Sequence, residues 1–339
     1  MNSKKASHYH VDNNDNVICD LCAHGCRIVP GAGGICGVRR NKDGELYSLV
    51  YGAVAAEHVD PIEKKPLFHL LPGSLSYSLA TVGCNFRCLH CQNYHISQVA
   101  ASSVQTFDHI RRSPAEIVAA ALDQHCHSLS YTYVEPTVFY EFALDCMRIA
   151  HENGLKNIFV TNGYMREAPM REMAPWLDGV NVDLKSFRDD FYRTVCGARL
   201  APVLDTIRLL HSLGCWVELT TLLIPEENDS PDELQEMARF IASLAKDIPW
   251  HLTAFYPTYK MAEKMPTPLA VMQQAAEIGR AEGLNYIYLG NRFHAGGMDT
   301  RCPGCGDVVI GRRGFSVVDM SLEKGGCPRC GMMLPGVWG

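Results

Sequence analysis

The sequence predicts an α/β protein: a partial barrel of the (β/α)6 type, with a small cysteine-rich segment before it and a metal-holding ribbon after it. Three observations carry that expectation. Short β-rich runs alternate with amphipathic helical runs from Ser74 to about residue 290, and repeated βα units build a parallel sheet. The 15 cysteines are not scattered evenly, since 11 of them fall in three groups with short fixed spacings. At 339 residues the chain has room for one barrel-sized unit with small appendages. The expected division is residues 1–73 for the cysteine-rich segment and connector, 74–298 for the barrel, and 299–339 for the ribbon.

Hydrophobic content of 47% and charged content of 20% describe an ordinary globular protein. A net charge of −6 offers no basic surface for nucleic acid or for an acidic membrane. No apolar run is long enough to span a bilayer, and the opening residues MNSKKASHYHVDNND lack the apolar core of a secretory signal, so a cytoplasmic protein is expected. In a reducing compartment, clustered C-x2-C and C-x3-C spacings favour metal binding over disulfides. The four ungrouped cysteines, Cys126, Cys146, Cys196 and Cys215, read as small buried hydrophobes.

In chain order, Cys19, Cys22, Cys26 and Cys36 come first, spaced C-x2-C-x3-C-x9-C in a glycine-rich stretch. Such a stretch buries little side chain, so a metal would supply its stability. Four thiolates suit either a zinc ion or an iron–sulfur cluster, and the spacing does not choose between them. Glu45–Val54 reads as a strand or hairpin. Asp60–Ser74, with three prolines, reads as an extended connector lying across the main domain, in which Lys64 and Lys65 are solvated and His69 is packed.

Seven strands are expected: Tyr77–Val82, Ser128–Tyr133, Asn157–Thr161, Gly179–Leu184, Trp216–Ile224, Trp250–Tyr256 and Asn285–Leu289. The helical runs between them are Pro114–Gln124, Val138–Glu152, Ala201–Leu213, Pro231–Ala245 and Ala270–Glu282. Two of these start with a Ser-Pro pair, Ser113-Pro114 and Ser230-Pro231, a capping serine followed by proline at the first helical position. Gly154, Gly214 and Gly283 stand where a left-handed helix end is expected. After residue 290, Cys302, Cys305, Cys327 and Cys330 form two C-P-x-C-G knuckles, the pattern of a zinc ribbon, with a rubredoxin-like iron site as the competitor.

Directly after the first strand, Cys84, Cys88 and Cys91 form a C-x3-C-x2-C loop. Each thiolate can hold one iron of a cubane, and three ligands for four irons leave one iron open. Polar residues recur at the later strand ends, where a parallel barrel keeps its chemistry: Thr132, Tyr133 and Glu135, then Asn162, then Asp183 and Lys185, with His251 on the sixth strand.

These residues resemble the radical S-adenosylmethionine (SAM) superfamily. The runs DPIEKKPLFHLLPGS, GCNFRCLHCQN, YTYVEPTVFYEF, NVDLK and LPGVWG look like the radical SAM enzymes of the AmmeMemoRadiSam system, relatives of the pyruvate formate-lyase activating enzymes. The resemblance implies a [4Fe–4S] cluster on Cys84, Cys88 and Cys91, with SAM chelating the open iron. It implies cleavage of SAM to a 5′-deoxyadenosyl radical that abstracts hydrogen from a substrate these residues do not identify. Tyr133-Val134-Glu135 stands where the superfamily has Gly-Gly-Glu. This implies contact with the SAM amino group through the Glu135 side chain and the Thr132 backbone. Asp183 and Lys185 match a DLK strand end near the SAM carboxylate or a bound cation, with Asn162 and His251 as further candidates. His90 stands where an aromatic residue usually packs near adenine. Implied partners are a flavodoxin- or ferredoxin-like electron donor and Memo-like and AMMECR-type proteins. Two alternatives stand beside this reading: an activase that takes a glycine hydrogen from a partner protein, and a non-enzymatic iron–sulfur carrier or scaffold.

Overall fold

The computed structural model describes residues 3–338 except 13, 101, 105, 293 and 295. Eight strands form the main sheet: β1 (Ala56–Pro61), β2 (Leu75–Ala80), β3 (Ser128–Tyr131), β4 (Lys156–Thr161), β5 (Gly179–Asp183), β6 (Trp216–Leu223), β7 (Trp250–Ala254) and β8 (Ile287–Gly290). They lie in sequence order, with β2 to β8 parallel and β1 antiparallel on the β2 edge. The sheet stays open between β1 and β8. Six helices follow the six strands from β2 to β7: α1 (Pro114–Asp123), α2 (Tyr140–Glu152), α3 (Glu167–Met173), α4 (Leu200–Ser212), α5 (Pro231–Leu244) and α6 (Leu269–Ala281). Six βα units and a seventh parallel strand make the partial barrel that the alternation predicts.

Two elements go beyond the sequence reading. β1 has no periodic apolar signal, because AEHVDP leaves His58 and Val59 exposed at an edge. α3 is short and contains Pro169, which hides it from a helical pattern search. Of the two Ser-Pro helix starts, one forms its cap and the other does not. Ser113 makes a reciprocal capping box with Glu116 at the start of α1. Ser230 makes no side-chain cap at the start of α5, because Glu233 turns inward to Ser186, the Phe187 amide and Arg188. Gly154, Gly214 and Gly283 hold φ of +75°, +77° and +90°, the left-handed values expected of them.

Side chains alternate across each strand, and the register puts Asn181 beside Glu218, Thr220 beside His251, and His251 beside Tyr288 on one face. That face looks into the barrel. The connector fills its floor: Ile62, Leu67 and Leu70 cluster with Ile158 and Trp216, and Asn181 donates to the Pro66 carbonyl at 2.8 Å. Above this apolar plug lies a polar knot. Buried Glu218 accepts from the amides of Phe68 and His69, from Trp216 Nε1 at 2.9 Å and from His251 Nε2 at 2.6 Å.

The cysteine-rich segment folds as two small antiparallel sheets. It is tied to the barrel by Arg39, which meets the Glu141 carboxylate of α2 at 2.7 and 2.6 Å with both side chains buried. The C-terminal segment pairs Thr300–Arg301, Val308–Arg313 and Ser316–Met320 in a three-stranded antiparallel sheet. Arg312 plunges from it toward the connector. Its guanidinium donates to the carbonyls of Phe68 and Met298 and faces Glu63, with both charged side chains fully buried.

Candidate active site

The cysteine loop leaves β2 at its C-terminal end and is braced from below. The amides of Arg87 and Leu89 donate to the carbonyls of Cys196 and Val195 at 2.7 and 2.9 Å, and Lys260 donates its amide to the Leu89 carbonyl at 3.0 Å. Gly83, at φ +95°, starts the loop so close to Val38 and the Cys36 carbonyl that a side chain would collide with both. The Cys91 sulfur meets the Ser97 hydroxyl at 3.1 Å, and the Cys84 sulfur faces the Phe86 amide at 3.4 Å and Asn162 Nδ2 at 4.0 Å. These donors suit thiolates. Free, the thiols stay protonated: burial pushes Cys84 up, and the neighbouring Cys196 thiol together with burial pushes Cys88 well up. A metal reverses this, because coordination removes the thiol proton.

Cys196 is a member that spacing arguments miss. It lies in a π-turn (Tyr192–Cys196) beside Cys88, and the sequence shows it only as one scattered cysteine.

Around the loop stand the strand-end residues. Tyr133 sits at φ +63°, a left-handed conformation that costs a non-glycine residue free energy, so the glycine usual at this position has a backbone reason. Tyr133 is held there by its hydroxyl on Asp60 and by Lys65 Nζ, 4.5 Å from its ring centroid. Lys65 is therefore not solvated. It is 2% exposed and paired with Asp60 at 2.6 Å, while Lys64 takes the other Asp60 oxygen at 2.7 Å. Thr132 is buried beneath Tyr133, its amide on the Leu79 carbonyl.

Glu135 is 3% exposed. Its Oε1 accepts from the Thr137 amide and hydroxyl and from the Thr161 hydroxyl at 2.8 Å, and its Oε2 accepts from the Asn162 amide at 2.7 Å. Three of these donors crowd Oε1 and one reaches Oε2, which keeps an acceptor direction open. The side chain thus clamps the ends of β3 and β4 together. Asn162 passes the link on, donating Nδ2 to Asn85 Oδ1 at 2.8 Å.

Asp183 ends β5 and takes Lys185 Nζ at 2.8 Å, and Lys185 is close enough to His90 for its charge to add to the burial that pushes that imidazole down to about 3. The His90 ring is 5% exposed and lies 6.3 Å from Phe191 at a tilt of 34°. His251 is not at the mouth. It is the second residue of β7, three residues or about 10 Å below the strand's end, and it belongs to the Glu218 knot.

The site carries polar atoms that the protein itself leaves unpaired. Buried atoms without a protein partner include Asn162 Oδ1 and His90 Nδ1 at the mouth, and Ser78 Oγ, Asn181 Oδ1 and Thr220 Oγ1 on the inner face. Such groups cost stability unless something pairs them. Three thiols with nearby donors and a polar-lined interior fit an iron–sulfur cluster carrying a polar ligand. A cavity of about 630 Å³ lies by α6 and β8, lined among others by Arg280, Tyr286 and Arg301.

The four C-terminal cysteines converge, with all ligand sulfurs within 4.8 Å of one another. Gly306 and Gly331, at φ +77° and +75°, follow the second cysteine of each knuckle and let the turn close.

Comparisons with known proteins agree with this geometry. A model described as the Radical SAM superfamily matches residues 78–241, which span β2 to most of α5. The uncharacterized protein MJ0808 of Methanocaldococcus jannaschii is 41% identical over 331 residues, covering 97% of this chain and 98% of that one. A pyruvate formate-lyase-activating enzyme of Clostridium pasteurianum is 22% identical over 162 residues, 48% of this chain and 67% of that protein. Among solved structures, Streptococcus suis SuiB bound to S-adenosylmethionine shares the fold with a TM-score of 0.52 at 14% identity, over 68% of this chain and 53% of SuiB. The superfamily is one of enzymes that use a [4Fe–4S] cluster and SAM. With its cysteine loop at the mouth of an open parallel barrel, the chain belongs to the radical SAM superfamily.

Proposed function

We propose that Cys84, Cys88 and Cys91 hold the [4Fe–4S] cluster, that SAM binds its open iron, and that the radical formed takes a hydrogen atom from a polar substrate inside the barrel. One observation carries the reading: the cysteine loop meets Glu135, Asn162, Asp183 and Lys185 at the strand ends. When bound, the cluster held by Cys84, Cys88 and Cys91 would supply the one-electron reduction that cleaves SAM.

The chain's own residues bind and orient. Ser97, Asn162 and the Phe86 amide direct hydrogen bonds at the thiolates. Glu135 holds β3 and β4 in register, so that Thr132 and Asn162 face the same ligand. Lys185, anchored by Asp183, offers a cation to the SAM carboxylate. Asn181, Thr220 and Ser78 present unpaired polar atoms from below. The apolar plug of Ile62, Leu67 and Leu70 keeps water from entering through the floor.

Zinc is the metal we assign to Cys302, Cys305, Cys327 and Cys330, on the strength of their paired knuckles and the convergence of all four sulfurs. The whole-chain resemblance supports a place in the AmmeMemoRadiSam system, with Memo-like and AMMECR-type partners, a flavodoxin- or ferredoxin-like electron donor and a cytoplasmic setting. No helix among the described residues is long and apolar enough to cross a membrane.

The test is anaerobic reconstitution, reduction by dithionite and assay for 5′-deoxyadenosine from SAM. Product is expected from the native chain and none from a Cys84→Ala/Cys88→Ala/Cys91→Ala variant. A fully loaded cluster that leaves SAM intact would sink the proposal. A second reading, an activase acting on a partner's glycine, draws support from three relatives that are named as activating enzymes, at 22–26% identity. An EPR doublet appearing on such a partner separates it from a small-molecule reaction.

A further inference from the structure

The N-terminal cysteines make a separate site, and its dimensions discriminate between metals. Cys19, Cys22, Cys26 and Cys36 line one cavity together with Arg39 and Asn85. A zinc ion draws four thiolates to within roughly 3.8 Å of one another, since each Zn–S bond is about 2.3 Å. The ribbon sulfurs approach that arrangement, all lying within 4.8 Å. Among the described residues, no three of the N-terminal sulfurs come that close together. They ring a space instead of closing on a point. A cubane needs the wider ring, because each thiolate goes to a different iron and the sulfurs stand on the order of 6 Å apart.

Two buried side chains point to the same guest. Arg39 is 2% exposed and gives Nη2 to Glu141, while its Nε and Nη1 have no partner. Asn85 is 1% exposed, and its Nδ2 has none either. Both residues line the cavity, and donors left unpaired at such depth cost stability unless a guest accepts from them. The sulfurs of an iron–sulfur cluster accept hydrogen bonds, which also help set its reduction potential.

We infer that Cys19, Cys22, Cys26 and Cys36 hold a second [4Fe–4S] cluster, with Arg39 and Asn85 as its hydrogen-bond donors. With four protein ligands it has no open iron, so it carries electrons and not SAM. It shares a wall with the first site. Asn85 directly follows Cys84, its carbonyl accepts from His24 Nε2 at 2.8 Å, and a Cβ on Gly83 would fall 2.9 Å from the Cys36 carbonyl.

The experiment is iron, sulfide and zinc analysis with Mössbauer spectroscopy on the full chain, reconstituted without oxygen. The native chain is expected to hold about eight irons and one zinc, and the Cys84→Ala/Cys88→Ala/Cys91→Ala variant about four irons and one zinc. Four irons and two zincs in the native chain would overturn the inference, as would an iron-free triple variant that is still folded by circular dichroism. A Cys22→Ser/Cys26→Ser variant gives the reverse check: iron falls from about eight to about four if the second cluster is real, and the native iron content is unchanged if it is not. Metal content is read without reference to SAM cleavage, so this inference and the proposed function fail separately.

Discussion

Glu135 shows how much a single carboxylate contributes to this mouth. Burial pushes its carboxyl up, and the Thr137, Thr161 and Asn162 donors pull it back, which makes those donors essential to a charge in that place. Glu135→Ala leaves four donors without an acceptor. The expected cost is about 3 kcal/mol in urea unfolding, with at least a tenfold loss in SAM affinity by calorimetry on the reconstituted protein. Glu135→Gln keeps the shape but sets an NH2 group against donors, and should recover less than half of the stability. His69 makes the second residue-scale prediction. It is fully buried between the Pro335 carbonyl and the Tyr288 hydroxyl, and burial pushes its pKa from 6.5 down to about 4. The unfolded imidazole takes a proton below 6.5 and the folded one only near 4. The stability from keeping it neutral is therefore complete above 6.5 and is lost as pH falls toward 4. The native chain should lose about 1.5 kcal/mol between pH 7.5 and 5.5 from this group, and His69→Gln should decline less steeply.

At the scale of elements, parallel strands buried on both faces announced themselves as apolar runs, and the helices between them by glycine stops such as Gly154 and Gly283. The cysteine loop and the ribbon were legible because metal ligation imposes spacing on adjacent residues. What stayed hidden depends on contacts between distant segments. Cys196 gains its meaning only from lying under Cys88, and Arg39 only from Glu141, 102 positions along the chain. Lys65 reads as solvated until the connector is seen to fold over Tyr133, where a buried Asp60 receives it. His251 is near a strand end in sequence, yet a five-residue strand is long enough to put its second residue well below the mouth. Arg39→Met tests the contact between the cysteine-rich segment and α2. It leaves the buried Glu141 carboxylate with no counter-charge and only the Ser7 amide and hydroxyl as donors, so a loss of about 3 kcal/mol is expected by chemical denaturation. Restoring balance with Arg39→Met/Glu141→Leu should recover most of it.

For the whole molecule, the open seam between β1 and β8 is the weak line of the fold, and the connector and ribbon close it together. Arg312 reaches from the ribbon to the Phe68 carbonyl and Glu63, and the Val337 amide donates to the His69 carbonyl at 2.7 Å. Arg312→Ala should unfold the seam first, seen as faster hydrogen exchange at Phe68–Leu71 with β3 to β5 still protected. Stripping the ribbon metal with a chelator that spares iron–sulfur clusters should give the same exchange pattern and lower SAM turnover several-fold. The pairing of Leu70 with Val337 has a biological corollary. The floor of the barrel is finished by residues more than 260 positions downstream of it, and on the zinc assignment proposed above a nascent chain would close it only after the ribbon cysteines have bound that ion. A cell short of that ion would then show the deficit as lost radical chemistry, with its iron supply intact.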